Sequence, residues 1–418
     1  MHHTFPINVN SEIGKLNGVI LHRPGSEIEN MTPENAERAL YSDLLNLSVA
    51  GREYAQLSGV LEKVTKAFYV KELLTETLIN DKVRDSLIDK VCLNEKLEFL
   101  SDFLHRQAPE ALAASLIEGV LLKKNTLTRY LSKEQFALRP LHNFFFTRDG
   151  SISINQKVLI GKMASQVRER ESLIMESIFD YHPMFQSKTI NPIDCPDYCP
   201  EVTIEGGDVL VARHDVLLIG IGARTTAQGV DFILKRFKDA KKTKHIIIQE
   251  LPRNPESFIH LDMVFTILDF DTCMVYEPLI LKQNKYHTVH IKIDNGQVEF
   301  IKNEKNLLEA LESVGISLKP TFCGGRTDQR VQEREQWHSG ANFFAFEPGK
   351  VIGYGRNVHT MEELNNNGFE IIKAVDVMKG KVDLAAVKRC VVTIEGAELS
   401  RGGGGARCMT MPINRTDL

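Results

Sequence analysis

A cysteine near the C-terminus is placed as a reactive thiol would be. Cys408 follows a run of four glycines at residues 402–405, with Arg407 beside it and Arg401 at the start of the loop. Glycine permits backbone conformations and close approaches that a Cβ would prevent, and nearby positive charge favours the nucleophilic thiolate. On its own, the run is equally typical of a flexible loop near a chain end. Other residues must therefore show whether Cys408 does chemistry.

A histidine offers the proton-transfer partner that such a thiol needs. His260 and Asp262 come just before an apolar run at residues 263–268. In an extended segment, residues two apart face the same side. Histidine is the side chain best suited to proton transfer near neutral pH. Considered alone, a histidine in this position more often has a structural role at the start of a strand.

Carboxylates recur in similar contexts at the ends of apolar runs. Asp149 follows the aromatic run at residues 144–146, and Glu205 and Asp208 flank a pair of glycines. Each acid alone is typical of a solvated loop. Acids near a cysteine discourage formation of the thiolate, so the combination indicates a cationic substrate. A guanidinium binds planar carboxylates with two hydrogen bonds, and its positive charge would stabilise the thiolate.

Two arginines supply the complementary charge. Arg168 lies in a charged run at residues 167–171, and Arg224 follows a glycine and an alanine. An arginine fork suits a carboxylate, although most arginines are solvated surface charges. Acids for a cation and arginines for an anion describe a zwitterion with a guanidino end, and arginine is such a molecule.

Composition excludes several other classes of protein. Among 418 residues, 51 basic and 55 acidic side chains give a net charge of −4, which argues against nucleic acid or an anionic membrane surface as a partner. The start of the chain lacks the layout of a signal peptide, and no apolar stretch is long enough to span a bilayer. We therefore expect a cytoplasmic protein.

The cysteines do not form a recognisable framework. Seven of them, an odd number, are scattered along the chain, which favours a reducing compartment over disulfides. Cys195 and Cys199 are four residues apart, but no second pair at the spacing of zinc ligands follows them. We interpret them as ordinary loop thiols and predict no metal site.

The pattern of apolar residues divides the chain into two kinds of segment. Residues 73–140 show apolar positions recurring at three and four, which predicts helices at residues 73–88, 93–103, 109–122 and 127–136. We therefore predict an inserted helical subdomain at 73–140 and a catalytic domain formed by 1–72 and 141–418.

The catalytic domain repeats one unit, in which two short strands form a hairpin and a helix follows. Hairpins are predicted at residues 209–219, 263–276 and 343–354, the first and last followed by amphipathic helices. The pentapeptide at residues 202–206 also recurs at 392–396. Recurring units predict pseudo-symmetry around an axis, where loops at the strand ends would share one central pocket.

These segments resemble those of the arginine deiminases, in the guanidino-group modifying superfamily. The likeness covers most of the chain, and its segments are residues 19–25, 73–78, 143–149, 205–208, 260–262, 334–337, 340–342 and the loop of Cys408. The helical insertion also fits this family better than smaller relatives such as dimethylargininase.

The resemblance implies an α/β fold, a propeller of five pseudo-symmetric ββαβ units with an inserted helical bundle. It implies hydrolysis of L-arginine to citrulline and ammonia without a metal or cofactor, and a homo-oligomer. The implied roles are Cys408 as nucleophile, His260 as general acid and base, Asp149 and Asp262 as guanidinium ligands, Glu205 as the residue orienting His260, Arg168 and Arg224 as carboxylate ligands, Asn143 and Phe146 as pocket walls, and Asp208 as support for a substrate-binding group.

Three departures from the family pattern leave the substrate open. Tyr41 and Ser42 replace a usual Phe-Asp pair near the expected entrance, Ala223 replaces a polar residue before Arg224, and Gly403 replaces an arginine found in some members. An amidinotransferase, a hydrolase of a modified guanidino substrate and a non-catalytic guanidino-binding protein are the alternatives. Retention of the cysteine, the histidine and both aspartates argues against the last.

Overall fold

The computed structural model describes residues 4–185, 187–196, 198–238 and 242–418. Strands and helices alternate along most of the chain, which makes it a mixed α/β protein. In chain order, the helices are α1 Ser26–Glu29, α2 Pro33–Ala36, α3 Leu47–Val64, α4 Val70–Thr77, α5 Asp81–Glu95, α6 Ser101–His105, α7 Pro109–Glu118, α8 Leu127–Leu131, α9 Glu169–Tyr181, α10 Ala227–Lys238, α11 Glu277–Ile280, α12 Leu307–Ser313, α13 Gln329–Trp337, α14 Val358–Asn366 and α15 Ala374–Met378.

The strands are short and mostly apolar. They are β1 Leu16–Leu21, β2 Lys66–Tyr69, β3 Val120–Leu121, β4 Phe136–Leu138, β5 Ser151–Ile154, β6 Lys157–Ile160, β7 Val209–Arg213, β8 Val216–Ile221, β9 Lys244–Glu250, β10 Phe265–Asp269, β11 Thr272–Val275, β12 Thr288–Asp294, β13 Gln297–Glu304, β14 Lys319–Phe322, β15 Phe344–Glu347, β16 Lys350–Tyr354, β17 Glu370–Lys373, β18 Cys390–Ile394 and β19 Met411–Arg415.

One pairing pattern recurs in the sheets. The hairpins β7–β8, β10–β11 and β15–β16 are antiparallel, and the second strand of each pairs in parallel with a later strand, β9, β14 and β18 respectively. A parallel partner requires a crossover, and helices supply it. The three hairpins predicted from the sequence are therefore confirmed, and so are the helices predicted after the first and the last.

Two further units follow the same pattern. Strand β19 pairs antiparallel with β1, and β1 pairs in parallel with β2 across α3, so that this unit joins both ends of the chain. The hairpin β5–β6 is followed by α9 and by an isolated parallel bridge from Leu159 to Ile190. The loop that carries Cys408 leads directly into β19, where the sheet with β1 fixes its end.

The helical segment differs from its prediction in three respects. The first predicted helix is two helices, α4 and α5, because Asn80 caps α5 by accepting a hydrogen bond from the backbone N–H of Lys82 at 3.1 Å. Two short strands, β3 and β4, pair antiparallel within the segment, where the sequence indicated helices alone. The last predicted helix also ends early, at Leu131.

Three clusters of buried apolar side chains hold these elements together. The largest spans α3 and the sheets of β10 and β15, and it includes Cys408 and Met409. A second joins α4, α5 and α7 to α9, so the helical segment shares a core with the unit of β5 and β6. The third lies between α10 and the strands β7 to β9. None of the helices in the described ranges is long and apolar enough to cross a membrane.

Candidate active site

Four of the predicted functional residues, together with Asn342, lie at equivalent places in the five units. Each unit has such a residue one to three positions before the first strand of its hairpin. These residues are Asp149 before β5, Asp208 before β7, Asp262 before β10, Asn342 before β15 and Cys408 before β19. A repeated backbone therefore brings together residues that are up to 259 positions apart, as the hydrogen bond from Arg148 to the carbonyl of Arg407 also shows.

These loops surround a small cavity of about 40 Å³. That volume holds roughly three water molecules and is too small for an amino acid, so the site is closed in this structure. The lining residues are Leu40, Asn143, Phe146, Asp149, Arg168, Arg224, Glu256, Ile259, His260, Met263, Gly402, Gly403, Gly404 and Cys408.

The Cys408 thiol is held by neighbouring polar groups at the cavity wall. The Asn342 side chain donates to Sγ at 3.3 Å, and Asp262 Oδ2 lies 3.8 Å from Sγ. The same Asn342 accepts a hydrogen bond from the backbone N–H of Arg407 at 2.9 Å. This bond fixes the loop of Cys408 to the residues just before β15. A Cβ on Gly405 would lie 2.5 Å from the Asn342 side-chain oxygen, so a glycine is needed for this contact.

The surroundings disfavour the Cys408 thiolate in the absence of a bound cation. Burial raises the pKa of the thiol well above its ordinary value, and the charges of Asp262 and Asp149 raise it further. The charge of Arg407 lowers this pKa, as the sequence suggested, but burial and the two carboxylates outweigh it. Arg401 pairs with Asp43 at 2.7 Å, away from the cavity, and the charge of Arg407 is engaged by two carboxylates.

His260 lies between two carboxylates. Its Nε2 is 2.9 Å from Glu205 Oε2, and its Nδ1 is 3.8 Å from Asp149 Oδ1. Burial opposes the charged imidazolium, but Asp149, Glu205 and Asp208 together raise the pKa of His260 to about 9. The histidine is therefore protonated near neutral pH, while the thiol of Cys408 is neutral.

Glu205 is fully buried yet ionised. Although burial opposes its charge, the hydrogen bond and the charge of His260, with Arg224 and Arg168, hold the pKa of Glu205 below its usual range. Its second oxygen accepts a hydrogen bond from the backbone N–H of Ala164 at 3.0 Å. Glu205 is thus held in a fixed position beside His260.

The local structure around His260 differs from its prediction. Residues Leu261–Met263 form a 3-10 turn and the strand begins only at Phe265, so His260 and Asp262 do not share a face of an extended segment. The turn nevertheless places Asp262 beside Cys408 and His260 beside Glu205. The physical reason is a hydrogen bond at 3.0 Å from the Leu261 backbone N–H to the buried Asp208 side chain.

Asp149 is already occupied by an arginine of the chain. Arg168 Nη1 lies 2.7 Å from Asp149 Oδ2, and the rest of the guanidinium forks onto Glu171 at 2.8 to 3.2 Å. The second oxygen of Asp149 accepts a hydrogen bond from the backbone N–H of Gly207 at 3.2 Å. Both carboxylate oxygens that would grip a substrate guanidinium therefore have partners.

Asp262 is anchored in a similar way but keeps one oxygen free. Arg407 Nη1 lies 2.8 Å from Asp262 Oδ2, and its Nε and Nη2 donate to the two oxygens of Glu12 at 3.0 and 3.1 Å. Oδ1 of Asp262 is buried and has no hydrogen-bonding partner among the described residues. A buried acceptor without a donor is costly, and a ligand with an N–H group would satisfy it.

The remaining predicted residues occupy different positions around the cavity. Asn143 and Phe146 line it, and the Asn143 side chain donates to the carbonyl of Ala39 at 2.7 Å. Arg224 also lines it, with Nη1 3.8 Å from Glu205 Oε1. Asp208 does not line the cavity and lies behind His260, where burial raises the pKa of its carboxyl to about 7.

Two carboxylates and one histidine of this site form one geometric candidate for a cation site. Among the described residues, Asp149, Glu205 and His260 each offer one ligand atom within 4.8 Å of the others. These are the groups that the sequence assigned to a guanidinium and to proton transfer, so the cluster suits an organic cation as well as a metal ion.

Several residues of the site were missed or assigned no role by sequence reasoning. Asn342 lies in a segment that the family resemblance marked, and Glu171 lies in the charged run of Arg168, so the sequence could have indicated both. No sequence signal marks Glu12, because it is almost 400 residues from Arg407 and no motif surrounds it. Tyr41, expected at an entrance, is instead buried and donates to the carbonyl of His142 at 2.8 Å.

Solved structures share this fold. An amidinotransferase of saxitoxin biosynthesis from Microseira wollei matches with a TM-score of 0.56 and 13% identity, over 99% of this chain and 98% of that one. The N-terminal domain of ArgZ, an arginine dihydrolase from cyanobacteria, matches with a TM-score of 0.53 and 11% identity over 96% and 99%. A dimethylarginine dimethylaminohydrolase matches with a TM-score of 0.51 and 12% identity over 95% and 99%. The chain therefore has the mixed α/β fold of the amidinotransferase type.

Sequence comparisons show to which family of proteins with this fold the chain belongs. The arginine deiminase family model matches residues 37–415. An arginine deiminase of Staphylococcus aureus is 34% identical over 433 aligned positions, and one of Bacillus cereus is 33% identical over 432, each covering 99% of both chains. The chain belongs to the arginine deiminase family.

Proposed function

We propose that this protein hydrolyses L-arginine to L-citrulline and ammonia, with Cys408 as the nucleophile. The observation that carries the proposal is the buried Cys408 thiol, 3.8 Å from Oδ2 of Asp262, whose other oxygen has no partner among the described residues. His260, bound to the ionised Glu205, lines the same cavity as Cys408. Family membership supports the same reaction, since the relatives from Staphylococcus aureus and Bacillus cereus are named arginine deiminases.

Binding of the substrate supplies the charge that the thiol lacks. A guanidinium between Asp149 and Asp262 would neutralise the two carboxylates that raise the pKa of Cys408. An adjacent positive charge favours the thiolate, so the substrate itself promotes ionisation of the nucleophile. The thiol proton passes to solvent, because His260 is already protonated. The free oxygen of Asp262 accepts one guanidinium N–H, and Asp149 accepts others after Arg168 has moved.

The first half of the reaction cleaves the bond to one terminal nitrogen. The Cys408 thiolate attacks the guanidinium carbon, and a C–S bond forms as the carbon becomes tetrahedral. The His260 imidazolium donates its proton to the departing nitrogen, and the C–N bond breaks to release ammonia. The product is a covalent thiouronium intermediate on Cys408, and His260 is left neutral.

The second half hydrolyses that intermediate. Neutral His260 takes a proton from water, and the hydroxide attacks the same carbon. The C–S bond then breaks to release the Cys408 thiolate, and the new hydroxyl group loses its proton to solvent to give neutral citrulline. Positioned proton transfer of this kind contributes about 10²–10⁴-fold to the rate. Glu205 keeps His260 in place for both proton transfers through the 2.9 Å contact, and Asp208 supports the first residue of the 3-10 turn, Leu261.

Recognition of the α-carboxylate requires a rearrangement. Arg168 and Arg224 both line the cavity and are the proposed carboxylate ligands, with Asn143 and Phe146 as neighbouring walls. In the closed site, Arg168 instead binds Asp149. We infer that arginine enters as Arg168 exchanges Asp149 for the substrate carboxylate, a change that also enlarges the cavity of about 40 Å³.

The five ββαβ units support a propeller arrangement around a common pseudo-fivefold axis. The support comes from the matching strand pairings and from the five functional residues that precede equivalent strands. We also assign residues 73–140 to a helical insertion between the catalytic segments 1–72 and 141–418. As the family resemblance implies, we propose a homo-oligomer, which light scattering of the purified protein measures.

Product analysis tests the proposed reaction. Purified protein is incubated with excess L-arginine and assayed for citrulline and ammonia, with glycine added in one arm. Equal amounts of citrulline and ammonia in both arms support hydrolysis of arginine. Guanidinoacetate and ornithine in the glycine arm would identify an amidinotransferase instead. No product in either arm would overturn free arginine as the substrate.

A further inference from the structure

A second cavity, of about 450 Å³, lies between the helical segment and the catalytic units. It is separate from the substrate pocket, and no residue lines both. Its walls come from the end of α5, from β4 and its flanks, from the segment after α2 and from the turn before α9. The lining residues are Asn35, Arg38, Ala39, Glu95, Lys96, Leu97, Phe99, Leu122, Glu134, Phe136, Ala137, Arg139, Pro140, His142, Gln166, Val167 and Arg170.

The walls of this cavity carry excess positive charge. Four cationic side chains, those of Arg38, Lys96, Arg139 and Arg170, face two carboxylates, those of Glu95 and Glu134, which leaves an excess of two positive charges. His142 does not add to it near neutral pH, because burial lowers the pKa of its imidazole. A cleft lined by one sign of charge concentrates counter-ions of the opposite sign.

Two of these cations are not fully satisfied by the protein. Lys96 is exposed at the end of α5 and forms no ion pair within the described ranges. Arg170 is buried, with Nη1 3.1 Å from Glu95 Oε1, but its Nε has no hydrogen-bonding acceptor among the described residues. Burying a charge with incomplete pairing is costly. An anion in the cavity would lower this cost.

We propose that this cavity is an effector site for a small multivalent anion, a polycarboxylate or a phosphate. The excess of two positive charges matches such a ligand, and the volume accommodates one with several carbon atoms. Apolar side chains of Leu97, Phe99 and Phe136 in the same walls favour an organic anion over an inorganic ion.

The site abuts the substrate pocket through three pairs of chain neighbours. Ala39, His142 and Val167 line the second cavity, and the residues that follow them, Leu40, Asn143 and Arg168, line the substrate pocket. The second cavity is present in the structure whose substrate pocket is closed. A ligand that binds this form more tightly than an open form stabilises it, so the anion inhibits. This effector role rests on the proposed function, whereas anion binding does not.

Calorimetric titration with citrate and with inorganic phosphate, at matched ionic strength, tests binding. We expect one citrate per chain, bound more tightly than phosphate, and at least a tenfold loss of affinity in Lys96→Glu. Lys82→Glu is the matched control, since it makes the same charge change at an exposed position of α5 outside the cavity. A wild-type protein that binds neither anion, or a Lys96→Glu protein that binds as tightly as Lys82→Glu, would overturn the site.

Kinetics test the effector role. In the wild-type protein and in Lys82→Glu, saturating citrate should raise the KM for L-arginine about fivefold or more, within the usual range of coupling between two sites. In Lys96→Glu the same citrate concentration should have little effect. Citrate that binds but leaves KM unchanged would overturn inhibition while leaving the binding site in place. Wild-type protein without activity on arginine would contradict the proposed function alone.

Discussion

Arg168 Nη1 lies 2.7 Å from Asp149 Oδ2, so a residue proposed to bind the substrate carboxylate is attached to one proposed to bind its guanidinium. The arrangement has a counterpart across the cavity, where Arg407 lies 2.8 Å from Asp262 Oδ2. Each arginine is in turn held by a glutamate, Glu171 for Arg168 and Glu12 for Arg407. These chains of charge fix both aspartates, but only Asp262 retains a free oxygen.

The substitution Arg168→Lys should leave only one of the two contacts of residue 168, either with Glu171 or with Asp149. A lysine ammonium cannot fork onto Glu171 and also hold Asp149, because it is a point charge. We expect the KM for L-arginine to rise about tenfold or more, since a hydrogen bond to a charged group contributes about 1.5–3 kcal/mol. Ethylguanidine, which has no carboxylate, should inhibit more strongly because Asp149 is less occupied.

Steady-state kinetics with both compounds measure the two shifts, and a melting curve checks the fold. Weaker inhibition of Arg168→Lys by ethylguanidine would contradict competition between Arg168 and the substrate guanidinium for Asp149.

Cys408→Ser should abolish turnover without loss of the fold. A serine hydroxyl is a far weaker nucleophile in this setting, because it ionises much less readily than a thiol and His260 is already protonated near neutral pH. Citrulline formation and circular dichroism measure the two properties. Cys323→Ser is the matched control, since Cys323 is equally buried but lies outside the cavity. Near-full activity of Cys408→Ser would refute the proposed mechanism.

Much of the fold could be predicted because its signals are local and repeated. Hairpins such as β7–β8 are short apolar runs separated by polar turns. The same pattern recurs along the chain, which makes each hairpin easier to predict. The positions of Asp149, His260 and Cys408 followed from motifs at the ends of those runs. The recurring units predicted that loops at the strand ends share one pocket, whereas the role of each residue there depended on the family resemblance.

The rest depends on contacts between residues that are distant in the chain. Arg168 carries the same sequence signal whether it binds a carboxylate of the substrate or Asp149 of the protein. Glu12 is defined as part of the site only by its contact with Arg407. The repeated pentapeptide was also a weak guide, because Glu205 is buried in the site whereas the equivalent Glu395 is exposed.

Asp262→Asn should make the Cys408 thiol more acidic while reducing activity. The Asp262 charge raises the pKa of the thiol, so its removal lowers that pKa. Burial is the largest cause of the shift and is unaffected, so the pKa should stay above the ordinary thiol value of about 8.5. The pH dependence of Cys408 alkylation by iodoacetamide, followed on its peptide by mass spectrometry, measures the change. A higher thiol pKa in Asp262→Asn would contradict this account.

Glu205→Gln should move the alkaline limb of the pH profile to lower pH. Asp149 and Glu205 raise the pKa of His260 to about 9 despite its burial. Because His260 must be protonated to release ammonia, kcat/KM falls as the pH rises through that pKa. A neutral glutamine lowers the pKa of His260, so the fall should begin at a lower pH.

Profiles of kcat/KM across the neutral and alkaline range measure this shift. Glu304→Gln is the control, because Glu304 also contacts a histidine, His290 at 3.2 Å, but lies outside the cavity. An alkaline limb at the same pH in Glu205→Gln and wild type would argue against His260 as the acid.

Gly405→Ala should test whether the glycine loop places the nucleophile. A Cβ at this position would lie 2.5 Å from the Asn342 side-chain oxygen and 2.7 Å from its Cβ, so either the loop or Asn342 must move. Both movements disturb the contacts of Asn342 with Sγ of Cys408 and with the backbone of Arg407. A displacement of about 1 Å can cost a hundredfold in rate, and we expect kcat to fall by about that factor.

Gly51→Ala, where a Cβ would meet nothing within 4 Å, should keep full activity. Wild-type kcat in Gly405→Ala would show that the position of the thiol does not depend on Asn342.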